Sequence, residues 1–172
     1  MKTLLLFYSD LLEEGKDKLY QELENNIKIL KKTVGVDSIY ASISSQFKDI
    51  FDRFPDLCLI NSLRDNPVFA AYRGLRKLRG SDVLLIDGGA KFNKENILSF
   101  FNRFNVTVGM IKEKWSGLAL IKMRDIDYVI KSMERNFEKN LLDAFYTLRD
   151  SYSVVTEFVQ LKSATTAAVV NE

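Results

Sequence analysis

Apolar residues recur along the chain in two alternating rhythms. Short unbroken runs, TLLLFY at Thr3–Tyr8, DLCLIN at Asp56–Asn61 and VLLI at Val83–Ile86, have the length and composition of strands buried on both faces. DSIYASI at Asp37–Ile43 is a further strand. Between these runs the spacing changes to three and four. Leu19, Leu23, Ile27, Leu30 and Val34 mark one helix, which Gly35 ends. Phe47, Ile50, Phe51 and Phe54 share a face of a short helix, capped by Ser44 or Ser45 and ended by Pro55. After the loop SLRDN, Pro67 opens a helix that turns Val68, Ala71, Tyr72, Leu75 and Leu78 inward, and Gly80 closes it. Asn93 caps a helix with Ile97, Leu98, Phe101 and Phe104 inward. Asn105–Ile111 reads as a strand, Lys112–Gly117 as a turn and Leu118–Met123 as a strand. Two helices follow, one carrying Ile126, Val129, Ile130, Met133 and Phe137, the other Leu141, Leu142, Phe145 and Leu148. A last strand spans about Ser153–Leu161, and the Ala-Thr tail either adds a strand or frays.

Alternating strands and helices are the signature of a doubly wound sheet with right-handed crossovers. The hairpin at Trp115 adds an antiparallel element. The expected fold is therefore one three-layer α/β/α domain over residues 1–172, with a mixed, mainly parallel sheet. Such a length supports one sizeable core. With 47% apolar and 28% charged residues the composition is that of a globular chain. A net charge of +2 gives no reason to expect nucleic acid as a partner.

No apolar stretch is long enough for a bilayer, and the N-terminus reads as a strand rather than a leader, so the expected location is cytoplasmic. Cys58, the single cysteine, has no partner for an internal disulfide and reads as a small buried hydrophobe. The chain has no histidine. Ser-His and Cys-His nucleophiles and His-ligated zinc are excluded. Any chemistry falls to carboxylates, lysines, arginines, hydroxyls or an oxygen-ligated cation such as Mg2+.

In open α/β sheets ligands bind beyond the carboxyl ends of the strands. Asp87-Gly88-Gly89 sits at the end of the most apolar run and is the foremost candidate. Asp87 suits a magnesium ion or a ribose or sugar hydroxyl; a polar strand end bonded to turn amides is the plainer reading. Arg64 and Asp65, after the third strand, fall on the same edge, as do Ser9, Asp10 and Lys16 after the first. Arg73, Arg76, Lys77 and Arg79 form a basic helical face without interleaved aromatics, which reads as a solvated surface. Trp115, in a polar turn, suits a ligand cover or a dimer interface.

The order of elements, with NPVFAAYRGLRKL at Asn66–Leu78 and DVLLIDGGAKFNKENI beginning at Asp82, resembles the nucleotidyltransferases of glycosyltransferase-A type fold. These include the sugar-phosphate nucleotidyltransferases and the molybdenum-cofactor guanylyltransferase-like proteins. The resemblance covers most of the chain. It implies a nucleotide-diphospho-sugar transferase-like fold and a nucleotide or nucleotide sugar at the strand tips, contacted by Ser9, Lys16, Arg64, Asp87 and Gly88. It also implies Mg2+ on Asp87 and nucleotidyl transfer to a phosphorylated small molecule.

The chain departs from the family pattern at several points. YSDLLEEGKDKL stands where the family carries Gly-x-Gly-x-x-Arg, with Lys16 or Lys18 in place of its lysine. Gly89 stands where the family places its metal aspartate, and the family's second aspartate, near the chain end, has no clear counterpart in KSATTAAVVNE. These departures point to the alternative: an inactive homologue that binds a ligand, a protein partner or a second copy of itself. A flavodoxin-like or Rossmann-like binding domain is the third reading.

Overall fold

The computed structural model describes residues 1–35 and 38–163. The expected strand start at Asp37 and the possible strand in the Ala-Thr tail lie outside these residues. Among the described residues seven strands form one sheet in the order β3-β2-β1-β4-β6-β5-β7. They are β1 Lys2–Phe7, β2 Ile39–Ile43, β3 Cys58–Asn61, β4 Val83–Asp87, β5 Val106–Ile111, β6 Lys114–Ile121 and β7 Thr156–Gln160. Pairs β1–β2, β1–β4, β2–β3 and β5–β7 are parallel, and only β6 runs against its neighbours β4 and β5. The sheet is mixed and mainly parallel, as the alternation of the two rhythms predicts.

Helices cover both faces. α1 (Lys16–Thr33), the single-turn α2 (Ile50–Arg53) and α4 (Lys94–Leu98) lie on one side. There Leu19, Leu23, Ile27 and Leu30 pack on Leu5, Phe7, Leu84 and Ile86. α3 (Pro67–Lys77), α5 (Ile126–Glu134) and α6 (Leu141–Tyr152) lie on the other. There Ala71, Leu75, Val129 and Phe145 pack with Leu4, Leu6, Val83 and Leu85. The two core clusters divide successive residues of β1 and β4 between them, the period of two that a strand imposes. Each central strand therefore buries both its faces, which is why β1 and β4 read as unbroken apolar runs.

Several expectations are corrected. The helix predicted from Ile97 to Phe104 stops at Leu98. Asn93 does cap it, in a reciprocal pair with Asn96, but Asn102 then takes a left-handed φ of 63°. The phase is lost there, so Phe100 is buried while Phe104 is 76% exposed. The Phe47–Phe54 helix is broken likewise into a 3-10 turn, Ser45–Phe47, and α2. Phe47, Ile50 and Phe54 are buried and Phe51 is exposed. Cys58 is exposed, because β3 is an edge strand and Cys58 is its first residue. β6 begins at Lys114, so Trp115 is a strand residue rather than a turn residue. Its ring packs edge-on against Phe145 and its indole N–H donates to the Leu118 carbonyl at 3.0 Å. Among the described residues no helix is long and apolar enough to cross a membrane.

Candidate functional site at the strand tips

β1 is the strand from which the winding turns both ways. α1 leads from it to β2 on one side, while β4, its other neighbour, is reached through α3 on the opposite face. The carboxyl ends of β1 and β4 therefore form a topological switch point, where an open sheet leaves a crevice. Tyr8 follows β1 and Asp87 ends β4. The two meet there: the Tyr8 hydroxyl donates to Asp87 Oδ1 at 2.6 Å. The Gly89 N–H donates to Oδ2 at 3.3 Å. Burial raises the Asp87 carboxyl above the usual carboxylate range, against the lowering pull of the Tyr8 and Gly89 hydrogen bonds. Burial, and then the charge of Asp87, raises the Tyr8 hydroxyl well above its ordinary range.

The glycines around the pair are fixed by packing. A Cβ on Gly88 would stand 2.4 Å from the Leu6 carbonyl oxygen and 2.7 Å from the Phe7 ring. Gly117, with φ +91°, leaves only 2.7 Å to the Ala90 Cβ for a Cβ of its own. Gly88 is buried against β1, and its N–H donates to Leu6 O. It therefore shapes the turn that carries Asp87.

Two clefts flank the β1 tip. The first, about 480 Å³, opens over the ends of β2 and β3 among Ser44, Ser45, Lys48, Leu63, Arg64 and Asp65. Its rim loop is tightly held. Leu63 N donates to Asn61 Oδ1, the Ser62 hydroxyl to Arg64 O, and Asn66 Nδ2 to Phe137 O. Leu63 takes φ 66° while 65% exposed, an uncommon backbone for an apolar side chain. Arg64 lies over the Phe69 ring at 4.4 Å. Among the described residues neither Arg64 nor Lys48 forms a salt bridge. The second cleft, about 400 Å³, lies between the tips of β4 and β6. Tyr8, Asp87, Gly89, Lys91, Trp115 and Ser116 line it.

The remaining expected contacts are engaged within the chain. Ser9 gives both its N–H and its hydroxyl to the Asp65 carboxylate, so a negative charge stands where a phosphate was expected. Lys16 reaches the Gln46 carbonyl at 3.0 Å and Asp49 at 3.3 Å, apart from Asp87. The structure thus brings Ser9 to Asp65, beside Arg64, and sets Asp87 with Tyr8. It does not gather Ser9, Lys16, Arg64 and Asp87 around one point. Sequence reasoning missed Tyr8 and Lys48. A tyrosine directly after a buried strand, with its polar tip free to turn back, was a usable signal for Tyr8. Nothing in the pattern singled out Lys48.

Asp87 is a poor cation ligand in this setting. Among the described residues no three acidic or thiol side chains converge on one point. Both Asp87 oxygens already accept hydrogen bonds, and burial favours the protonated form, whereas magnesium needs a charged oxygen donor in open octahedral geometry. The residues present do not fit a resident magnesium ion.

No protein-family model matches the sequence, and no curated protein matches it. Solved structures do match in fold. The 4-diphosphocytidyl-2C-methyl-D-erythritol synthase of Anaerococcus prevotii superposes with TM-score 0.71 at 14% identity, over 94% of this chain and 89% of that one. The inositol-1-phosphate CTP transferase of T. maritima gives 0.59 at 8% identity, over 93% and 85%. The molybdopterin-guanine dinucleotide biosynthesis protein A of Archaeoglobus fulgidus gives 0.53 at 11%, over 93% and 83%. At such identities the likeness lies in the path of the backbone, and it spans nearly the whole of each chain. The chain has the nucleotide-diphospho-sugar transferase fold, as the resemblance in the sequence implied.

Proposed function

We propose that this protein is a nucleotidyltransferase-like binding protein. It holds a nucleotide or nucleotide sugar across the tips of β1, β2 and β4 without transferring the nucleotidyl group. The observation that carries the reading is the pair of clefts on either side of the β1 tip, one of them bearing Lys48 and Arg64, neither in a salt bridge among the described residues, while the Asp65 carboxylate beside them is held by Ser9. Two such cations beside a cleft of that size suit the phosphates of a nucleotide. The solved structures of like fold named above include a CTP transferase, which supports nucleotide as the ligand class. Against turnover stand the donor set at Asp87 and the acidic loop after β1. Asp10, Glu13 and Glu14 of that loop and Glu22 of α1 border one small cleft, whose one cation among the described residues, Lys18, is paired with Glu14, where transfer needs cationic groups on the leaving pyrophosphate.

A thermal-shift series with the four nucleoside triphosphates and common nucleotide sugars tests binding. A pyrophosphate-release assay with sugar phosphates as acceptors tests turnover. The expected result is a concentration-dependent rise in Tm with at least one nucleotide, lost in the Lys48→Ala, Arg64→Ala double variant, and no pyrophosphate release. Absence of any shift at millimolar ligand overturns the binding reading. Release of pyrophosphate overturns the non-catalytic one.

A further inference from the structure

The second cleft differs from the first in what it offers a ligand. Lys91 is its single cation among the described residues, and the Lys91 ammonium lies 3.5 Å from Glu22. Its floor is the Tyr8–Asp87 pair, and Ala90, Ile111 and Trp115 give it apolar walls. Ser116 lines it too, with its hydroxyl accepting the Leu118 N–H. A phosphate placed there would meet the Asp87 carboxyl group and would have to compete with Glu22 for the one ammonium. A divalent cation would meet one carboxyl group whose two oxygens already accept hydrogen bonds.

The hydrogen-bonding capacity left over defines what does fit. Each carboxyl oxygen carries two lone pairs and each has one donor here, and the Tyr8 oxygen can still accept. The floor therefore takes hydroxyl groups, and the indole edge with Ala90 and Ile111 takes the C–H surface between them. That is the chemistry of a sugar ring.

We propose that the Tyr8–Asp87 hydrogen-bonded pair stands in place of a metal ion at the switch point and binds the hydroxyls of a sugar ring directly, with no divalent cation. The proposal rests on the reading above for the phosphate-bearing end of the ligand, which falls to Lys48 and Arg64. The hydroxyl-binding floor itself is tested apart from that reading.

Two measurements on the full chain do so. First, Mn2+ is titrated and followed by electron paramagnetic resonance. The expected result is no stoichiometric binding below about 1 mM, the weak end of the range of site affinities. One tightly bound Mn2+ per chain, lost in Asp87→Asn, overturns the proposal. Second, the fluorescence of Trp115, the single tryptophan, is followed in excess EDTA as free ribose, glucose, mannose and galactose, then their nucleotide sugars, are added. A saturable change with at least one of them is expected. Tyr8→Phe should weaken it about tenfold, the effect of one lost hydrogen bond to a charged or polar partner. A change that appears only with added metal, or none with any sugar or nucleotide sugar, overturns the proposal. If free sugars act and nucleotides do not, the nucleotide reading fails and the hydroxyl site stands.

Discussion

Strand β4 is bracketed by two aspartates, and they lead opposite lives. Asp82, just before the strand, accepts from Lys122 Nζ at 2.8 Å and from the Met123 N–H at 2.8 Å. Burial works against its charge, but Lys122 and the Met123 N–H outweigh it, and the carboxyl is held below its usual range. Asp87, at the other end of the strand, has a tyrosine hydroxyl and one long amide contact instead, and burial prevails. The same residue type is charge-compensated just before the strand and held by neutral donors alone at its far end. A carboxyl raised by burial at a switch point is a candidate for ligand binding, and that candidacy is what the variants below test.

The bluntest way to break the comparison is through the glycines beyond the strand. Gly88→Val pushes a side chain into Leu6 O and the Phe7 ring, and should cost about 3 kcal/mol in urea unfolding, since backbone blocks the way. Gly80, near the other end, has nothing within 4 Å of an added Cβ, and Gly80→Ala should lie within about 0.5 kcal/mol of wild type.

Next come the carboxylates themselves. Asp82→Ala leaves Lys122 and the Met123 N–H unpaired and should lose about 1–2 kcal/mol at neutral pH. Asp87→Asn should stay within about 1 kcal/mol of wild type, because the Tyr8 hydroxyl keeps an oxygen to bond and a disfavoured buried charge is removed. A loss at Asp87 as large as that at Asp82 would end the distinction.

A finer test uses pH. The folded pKa of Asp82 lies below its unfolded value of about 4, so its contribution is present above that pH. It is lost as pH falls toward the folded pKa. The folded pKa of Asp87 lies above the same reference, so the folded chain binds the extra proton. Its contribution declines as pH rises from about 4 through the folded value. Urea melts of wild type against Asp82→Asn should therefore diverge with rising pH. Melts against Asp87→Asn should shift toward the variant over the same interval. Parallel trends for both aspartates would contradict the geometry.

The smallest effect is expected at Lys16. Its pair with Asp49 is largely exposed, so Lys16→Ala should cost no more than about 0.5 kcal/mol and leave nucleotide-induced Tm shifts unchanged.

The layers, the sheet's mixed direction and the placing of Asp87 at a tip could all be read from the sequence, because β1 and β4 are buried on both faces and leave an unbroken apolar trace. Irregular stretches could not. Phe104 has the spacing of an inward residue and points to solvent, because the left-handed turn at Asn102 resets the phase. Cys58 looked buried because an edge strand and a central one share apolar composition. The partner of Asp87 was hidden for another reason: it comes from the far end of a contact 79 residues long, and no local pattern carries such information. Ser9 and Lys16 did fall on the predicted edge, yet Asp65 and Asp49 claim them, and those pairings too are set only once the chain is folded.

That 79-residue separation also bears on how the protein folds and how a ligand acts on it. The β5–β6 hairpin closes over two residues and forms locally, whereas the Tyr8–Asp87 contact waits for the β2, β3 and α3 segments to be laid down between its ends. A molecule bound across that contact is not gripping a loop. It clasps the long crossover shut, so its binding free energy is felt by global unfolding rather than by local fraying. Slow-exchanging amides of β1 and β4 would register its presence as fully as the residues it touches.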